Sequence, residues 1–213
     1  MAAAGGGTVS AVTLADRVSL RSRQRKLRLF LDELRPTAET TVLDVGADEL
    51  GFGDASGCAT MNFFEERYPW PERITAVGLH DGAAFRRRYP EVRYVRGDAC
   101  ALPFPDGAFD LYFSNAVIEH VGGDERQRAF VSEALRVARR VFVTTPNRWF
   151  PLEVHTRLPL VHWLPERAAH RAYDLVGKSW AKDNHLLGPG ELRRLFPVPV
   201  QVHNLGMTLV AIT

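Results

Sequence analysis

Polar side chains and glycines recur directly after short apolar runs of the sequence. The segments concerned are Asp44-Val45-Gly46, Gly78-Leu79-His80-Asp81, Gly97-Asp98-Ala99 and Ser114-Asn115. Such side chains can hydrogen-bond to a polar small molecule, and glycine lets the backbone approach it closely. If each apolar run is a strand of one parallel sheet, these groups meet at the edge where open α/β sheets bind ligands. The pattern predicts a small-molecule site built from residues that are distant in sequence.

Alternating strands and helices must position these groups. Apolar runs predict strands at 41–46, 74–79, 92–95, 109–114 and 140–145, with helices at 57–68, 82–88 and 124–138 between them. This alternation is typical of a doubly wound α/β fold with a mostly parallel sheet. After a short helix at 190–196, strands at 198–203 and 207–212 meet around Gly206, which predicts an antiparallel hairpin at a sheet edge.

Composition limits the class of protein. The chain has 213 residues, 46% hydrophobic and 24% charged, which is typical of one ordinary globular domain. A net charge of +2 is too small for the concentrated positive field of a dedicated nucleic-acid binder. Cys58 and Cys100 show no metal or redox spacing, and no uncharged run approaches the roughly 18 residues of a membrane span. We therefore expect a cytoplasmic protein without a membrane span.

The segments that flank the strand–helix pattern carry less information. Residues 1–12 are expected to form a flexible tail, ahead of one domain over 13–213 that opens with a helix at 13–35. The basic residues of that helix predict a solvated face; they are Arg17, Arg21, Arg23, Arg25, Lys26 and Arg28. Residues 147–188 are rich in Trp, His and Pro and are predicted to be irregular. Their histidines show no helical metal-site spacing, so no metal is predicted.

Several motifs together resemble one family. Val42-Leu43-Asp44-Val45-Gly46 resembles the first strand and glycine motif of the class I S-adenosylmethionine-dependent methyltransferases. Residues 96–110, continued by 114–121, resemble the adenine-contact motif and fourth strand of its small-molecule, methyltransferase type 11-like branch. The resemblance is good over 40–146, fair over the last hairpin and poor over 147–188. It implies a Rossmann-like sheet of seven strands, S-adenosylmethionine as cofactor and methyl transfer as the reaction.

The resemblance also implies roles for particular residues. The expected cofactor-binding residues are Asp44, Gly46, His80, Asp81, Asp98, Ala99 and Ser114. Gly46 would admit the methionine part of the cofactor, with an ordinary turn glycine as the alternative. Asp98 would accept from the adenine amino group, with a loop-capping aspartate as the alternative.

Two departures from the family pattern are visible. Gly46 is followed by Ala47-Asp48-Glu49-Leu50 instead of closely spaced glycines, so the loop must take another shape. The acidic residue that ends the second strand in the family falls at His80, with Asp81 next in the chain. Asp81 is favoured as the ribose ligand because a carboxylate can accept from both hydroxyls, whereas His80 can accept from one.

For the acceptor, the resemblance suggests a small molecule or a glycan-type compound methylated at oxygen. A hydroxyl acceptor needs a base, and His120, just beyond the fourth strand, is the catalytic candidate by position; capping or packing is its alternative role. Residues 147–188 would form an acceptor-side insertion or lid, with a satellite core that includes Trp163 and Trp180 as the alternative. Rival hypotheses are a degenerate nucleotide-binding or regulatory member of the fold and a methyltransferase of protein or nucleic acid. The Ser114-Asn115-Ala116 sequence disfavours methylation of bases.

Overall fold

The computed structural model describes residues 14–49 and 62–213, which form a seven-stranded sheet flanked by helices. The strands are β1 (Val42–Val45), β2 (Ile74–Gly78), β3 (Arg93–Arg96), β4 (Phe109–Asn115), β5 (Ala138–Pro146), β6 (Gln201–Asn204) and β7 (Thr208–Ile212). The α-helices are α1 (Leu14–Leu34), α2 (Phe63–Arg67), α3 (Ala83–Arg88), α4 (Asp124–Val137), α5 (Glu166–Leu175) and α6 (Pro189–Leu195). The predicted tail at 1–12 and residues 57–61 of a predicted helix lie outside the described residues.

The strand order is β3-β2-β1-β4-β5-β7-β6. Strands β1 to β5 pair in parallel, whereas β7 pairs antiparallel with both β5 and β6. This confirms the predicted fold class, with its mostly parallel sheet and its C-terminal hairpin at one edge. Because β1 pairs with β2 on one side and with β4 on the other, the order reverses at β1. Sheets of this kind bind ligands at the carboxyl ends of the strands beside such a reversal.

Both faces of the sheet are covered, which explains why its central strands read as continuous apolar runs. Every residue of β1 and β2 is buried. On one face, Phe30 of α1 packs edge-on against Phe113 of β4 and Phe142 of β5, with ring centroids 5.5 and 5.4 Å away. On the other face, Phe130 of α4 packs against Tyr112 of β4. These contacts fix α1 and α4 on either side of the reversal in strand order.

The basic residues of α1 do not share one solvated face, as the sequence had suggested. Four are exposed, namely Arg17, Arg21, Arg25 and Arg28. Lys26 is buried and Arg23 is half-buried. Lys26 lies four residues before the buried Phe30, so helical geometry places both on the side of α1 that meets the sheet. The prediction was therefore wrong for these two cations, which are held inside the protein.

The segment 147–188 was predicted to be irregular but contains regular structure. It includes the ten-residue helix α5 and two 3₁₀ turns, Val161–Trp163 and Ser179–Asp183. Ala169, Tyr173 and Ala181 form a small separate core within it. A bridge between Asn147 and Leu187 joins the two ends of the segment. It therefore forms a compact unit after β5, held by a core too small to give a strong apolar pattern in the sequence.

Candidate functional site

A cavity of about 430 Å³, called here the rim cavity, opens at the carboxyl ends of β1, β2 and β4. Its walls come from these strand ends, the loops after them, α1 and the segment after β5. Of the eight residues singled out from the sequence, five line it: Gly46, His80, Asp98, Ala99 and His120. The other three, Asp44, Asp81 and Ser114, do not line it. Most of the predicted residues thus meet at one place.

Gly46 allows the chain to turn sharply at the end of β1. Its φ is +114°, a conformation that side chains rarely tolerate, and a Cβ there would lie 2.2 Å from a methyl carbon of Val117. The backbone N–H groups of Gly46 and Ala47 both donate to the Val77 carbonyl, at 2.9 and 3.0 Å. Contact with Val117, together with the positive φ, therefore requires glycine here even before any ligand is considered.

Asp44 and Ser114 lie beneath the cavity, inside the protein. The Ser114 hydroxyl donates to the Val45 carbonyl at 2.7 Å and so links β4 to β1. Asp44 hydrogen-bonds to Glu65 of α2, and both carboxyls are buried. Burial raises the pKa of Asp44 well above its ordinary value and that of Glu65 to about 7. In this arrangement both side chains support the floor of the rim cavity. Their direct contact with a ligand stays a prediction.

At the end of β2, His80 and Asp81 have different surroundings. His80 lines the rim cavity and also a shallow recess beside it, which Asp81 lines with Asp48. The Asp81 carboxylate accepts from the N–H of Ala83 in the first turn of α3, at 2.8 Å. The carboxylate of Glu49 accepts from the next two N–H groups of that turn, at 2.6 and 2.9 Å. The carboxylate preferred from the sequence is thus already engaged by the helix.

Asp98 is held by a charged partner. The guanidinium of Arg126 donates to both carboxylate oxygens of Asp98, at 2.8 and 3.1 Å, and the N–H of Cys100 donates to one of them at 2.9 Å. The hydrogen bond from Arg126, then that from Cys100, lowers the pKa of Asp98. The carboxylate is therefore ionised and fixed at the wall of the cavity, where it can accept a further hydrogen bond.

Two histidines that line the rim cavity, His120 and His155, lie against two buried glutamates. His120 and His155 pack edge to face, with ring centroids 4.9 Å apart. Nε2 of His120 and Nε2 of His155 lie 3.9 and 3.7 Å from Oε1 of Glu119. Nδ1 of His155 lies 2.8 Å from a carboxylate oxygen of Glu153, which also accepts from the backbone N–H of His155. We call these four residues the junction cluster.

Burial sets the charge state of this cluster. Burial raises the pKa of Glu119 to about 7. Burial, and after it the charge of His155, lowers the pKa of His120. Burial also opposes the charged forms of Glu153 and His155. Hydrogen bonds from His155 and Thr156 nevertheless lower the pKa of Glu153 to about 2, and the Glu153 and Glu119 carboxylates raise that of His155. Glu153 is therefore anionic, whereas Glu119 can gain or lose a proton near neutrality.

Helix α1 brings two cations to the same side. Lys26 hydrogen-bonds to the side-chain oxygen of Asn115 at the end of β4, and Arg23 lines the rim cavity. Burial lowers the pKa of Lys26 to about 7, helped by the charge of Arg23, and that of Arg23 to about 10. Nε of Arg23 is buried without a hydrogen-bond partner among the described residues. This face of the cavity is therefore suited to an anionic or electron-rich group.

A second cavity, about 540 Å³ and called here the lateral cavity, lies between α4, α6 and the segment after β5. Charged and polar side chains dominate its lining, with Tyr173 and a few leucines between them. Glu153, whose carboxylate contacts His155, lines this cavity as well. Asn184 also lines it and interacts with His120. The junction cluster therefore borders both cavities.

Several residues of the site were not identified from the sequence. They are Arg23, Lys26, Asp48, Glu119, Glu153 and Arg126. Glu119 directly precedes His120 and was visible in the quoted motif, but only burial distinguishes its carboxyl from a surface one. Glu153 precedes His155 by two residues, and this spacing was the available signal. Nothing in the sequence indicated that α1 would place Arg23 in the cavity.

Comparison with known proteins supports the family indicated by these residues. The methyltransferase domain family matches residues 49–141. A protein of Mycobacterium tuberculosis named "Probable S-adenosylmethionine-dependent methyltransferase" is 35% identical over 111 residues, which is 50% of this chain and 36% of that protein. Ajmaline N-methyltransferase of Rauvolfia serpentina is 42% identical over 69 residues, or 32% of this chain and 22% of the plant enzyme. The matches thus span only about a third or less of these relatives.

The solved structures support the fold over nearly the whole chain. The PH0226 protein of Pyrococcus horikoshii OT3 superimposes with a TM-score of 0.58 at 14% identity, covering 96% of this chain and 95% of that one. At such identity the likeness concerns the fold alone. The domain match adds a likeness to the methyltransferase domain family over residues 49–141, and the rim cavity lies where the strand order reverses. Over this domain the chain is similar to proteins named as S-adenosylmethionine-dependent methyltransferases.

Proposed function

We propose that the protein transfers the methyl group of S-adenosylmethionine to a hydroxyl oxygen of a polar small molecule or glycan-type acceptor. The observation that carries this proposal is that predicted cofactor residues and His120 line the same cavity. A single ligand bound along this cavity can therefore direct its reactive end toward a side chain suited to proton transfer. Residues 13–213 would act as one methyltransferase domain.

The cofactor would bind along the strand ends. The turn at Gly46 leaves room for its methionine part, with the half-buried Arg23 on the same side, and Ala99 would line the adenine end. Asp98, kept ionised by Arg126, would accept from the adenine amino group. The ribose would lie at the end of β2, where His80 faces the cavity and Asp81 lies in the adjoining recess. Asp44 and Ser114 would support the floor of the rim cavity under the bound cofactor.

The lateral cavity would receive the acceptor, since it is polar and meets the rim cavity at the junction cluster. Segment 147–188 would then serve as the acceptor-side insertion. A sulfonium is already a good leaving group, so the protein chiefly has to align oxygen, methyl carbon and sulfur. His120 would accept the hydroxyl proton as the oxygen attacks, and the C–S bond electrons would pass to sulfur, giving S-adenosylhomocysteine.

Location and partners follow from simple observations. Among residues 14–49 and 62–213, no helix is long and apolar enough to cross a bilayer. We place the protein in the cytoplasm because the sequence indicates no disulfide framework. The partner would be the small-molecule acceptor, and the net charge of +2 disfavours nucleic acid.

The test combines binding and turnover. Calorimetric titration with S-adenosylmethionine and S-adenosylhomocysteine should give micromolar or tighter affinity, and absence of binding at millimolar ligand would contradict the cofactor site. Turnover is then screened by mass spectrometry with matched acceptors that differ only in a hydroxyl or an amine. His120→Asn should reduce methylation of hydroxyl acceptors by roughly 10²- to 10⁴-fold and leave cofactor affinity unchanged.

The screen also separates the rival functions. Transfer to amines only would favour nitrogen as the target, as the name of the Rauvolfia relative suggests for that enzyme. Binding without transfer to any acceptor in the screen would favour a regulatory, catalytically degenerate protein.

A further inference from the structure

Three side chains that commonly bind metals converge where the two cavities meet. One ligand atom each from Glu119, His120 and His155 lies within 4.8 Å of the others. The carboxylate oxygen Oε1 of Glu119 is 3.9 Å from Nε2 of His120 and 3.7 Å from Nε2 of His155. These separations are too long for direct hydrogen bonds. They match the spacing of about 3 to 4 Å between atoms that bind one ion at about 2.1 Å each.

Glu119 gives the first independent indication of a ligand. Its side chain is completely buried, and Oε2 accepts from the hydroxyl of Thr145 at 3.1 Å. Oε1 is buried as well and has no hydrogen-bond partner among the described residues. A buried carboxylate oxygen without a partner is costly, so an additional group that binds Oε1 would stabilise this arrangement.

His155 gives the second indication, because its ring is oriented by a carboxylate. Nδ1 lies 2.8 Å from Oε1 of Glu153, and the N–H of Thr156 donates to the other carboxylate oxygen at 2.5 Å. An ionised carboxylate only accepts hydrogen bonds, so the ring proton belongs on Nδ1 and the lone pair on Nε2 points toward Glu119. A carboxylate behind a histidine in this way is typical of metal-binding histidines.

The charges around the cluster are compatible with a cation. Glu119 and Glu153 supply two carboxylates, and Lys26 is the cationic group that faces Glu119 from α1. The His120 side chain is 43% exposed and lines the rim cavity, so an ion held here would stay accessible from the ligand side. Two imidazoles and one carboxylate form a ligand set suited to zinc and similar ions, and three protein ligands leave positions open for a substrate oxygen.

We propose that Glu119, His120 and His155 bind a divalent transition-metal ion of the zinc type, positioned by Glu153 behind His155. This inference rests on the proposed function, since the open positions would take the acceptor hydroxyl. A metal-bound hydroxyl loses its proton more readily. With the ion in place the proton passes to solvent, the oxygen attacks the methyl carbon and the sulfur leaves with the C–S bond electrons. His120 is then a metal ligand, and in the metal-free protein it is the proton acceptor.

Metal titration of the whole chain tests this site directly. Protein treated with a chelator is titrated with Zn²⁺ by calorimetry and with Co²⁺ by visible absorption, and we expect one ion per chain. Glu119→Gln, His120→Asn and His155→Ala should each raise the Zn²⁺ Kd by at least about 10-fold. Glu153→Gln keeps all three ligands, yet should raise the Kd by roughly 10- to 100-fold if it positions His155.

The matched control is His170→Ala, which removes a half-buried histidine 4.0 Å from Glu166 on α5 and should leave the Zn²⁺ affinity unchanged. Each variant that still binds S-adenosylhomocysteine is folded. Among the three ligand substitutions, His120→Asn should disturb packing least, because the His120 side chain is the most exposed. No Zn²⁺ binding at about 1 mM, or equal affinity in the wild type and the His120→Asn variant, would overturn the proposal.

Failure of this proposal can be told apart from failure of the proposed function. Methyl transfer that is equally fast in chelated, metal-free protein and in Zn²⁺-loaded protein would retain the methyltransferase function and overturn the catalytic use of the ion. Absence of S-adenosylmethionine binding would contradict the methyltransferase function. The Zn²⁺ titration tests the metal site without cofactor, so its outcome does not depend on that result.

Discussion

At the scale of single residues, the site depends on how neighbours fix polar groups before any ligand arrives. Arg126 keeps Asp98 ionised and oriented, and Glu153 does the same for the ring of His155. Pre-oriented acceptors lose less freedom when a ligand binds, so more of each hydrogen bond contributes to affinity. The partners that fix these groups are therefore as informative to mutate as the groups themselves.

We expect Asp98→Ala to weaken S-adenosylhomocysteine binding by about 1 to 3 kcal/mol, because the adenine amino group would lose its acceptor. Calorimetry would measure this as a Kd raised by roughly 5- to 150-fold. Arg126→Ala should have a smaller effect in the same direction, since Asp98 keeps only its hydrogen bond from Cys100. The control is Asp124→Ala, which removes an exposed ion pair with Arg128. An unchanged Kd in folded Asp98→Ala protein would exclude the adenine role.

At the end of β2, we expect His80→Ala to weaken cofactor binding more than Asp81→Ala. The sequence favoured Asp81 for its charge, but in the structure His80 lines the rim cavity and Asp81 accepts from the first turn of α3. Asp81→Ala should instead lower the free energy of unfolding by about 0.5 to 2 kcal/mol, because a backbone N–H in the first turn of α3 loses its acceptor. Binding calorimetry and urea unfolding of both variants decide the order. A larger loss of cofactor affinity in Asp81→Ala than in His80→Ala would identify Asp81 as the ribose ligand.

At the scale of elements, α2 and β1 meet through the buried carboxyl pair of Asp44 and Glu65, and this contact should make stability depend on pH. Burial raises the pKa of Glu65 from 4.5 to about 7, so the folded protein retains a proton that the unfolded chain has already released. Its contribution to stability is therefore complete below about pH 4.5 and is lost as the pH rises to about 7. Asp44 shifts in the same direction.

The variant Glu65→Gln should flatten this part of the stability curve, because the amide cannot ionise but can still hydrogen-bond to Asp44. Urea unfolding at intervals between pH 4.5 and 8 measures the effect, with the exposed Glu125→Gln as control. Since burial raises the pKa of Glu119 too, a reduced slope is expected and not a flat line. A slope equal to that of the wild type would show that the pair ionises freely in the folded protein.

At the scale of the whole molecule, the chain combines a rigid sheet with a less strongly packed unit after β5. The sheet is covered on both faces by large apolar clusters, whereas segment 147–188 has a core of only three buried residues, Ala169, Tyr173 and Ala181. Local stability follows the amount of buried apolar contact, so this unit should open more readily than the sheet. Elements that close over substrates in enzymes are commonly drawn from such regions.

Hydrogen exchange followed by mass spectrometry tests this difference. In the free protein, we expect amides of 147–188 to exchange faster than those of β1, and to gain protection once cofactor and an acceptor are both bound. Amides of α5 are the informative ones because their helix belongs entirely to the segment. Protection equal to that of β1 in the free protein would identify the segment as a fixed part of the fold and not as a lid.

The sequence by itself determined the sheet and one edge of the site. Apolar runs that end near Gly46, His80, Asp98 and Asn115 were enough to predict both, because parallel strands are buried on both faces and their carboxyl ends meet at one edge of the sheet. Tertiary structure alone decided which side chains face the cavity. Packing turned Lys26 inward and enclosed Asp44 and Ser114, while the exposed Asp81 was engaged by the first turn of α3. Packing also brought His155 to Glu119 across 36 residues of chain, a contact that depends on how the segment after β5 folds back and leaves no periodic signal in the sequence.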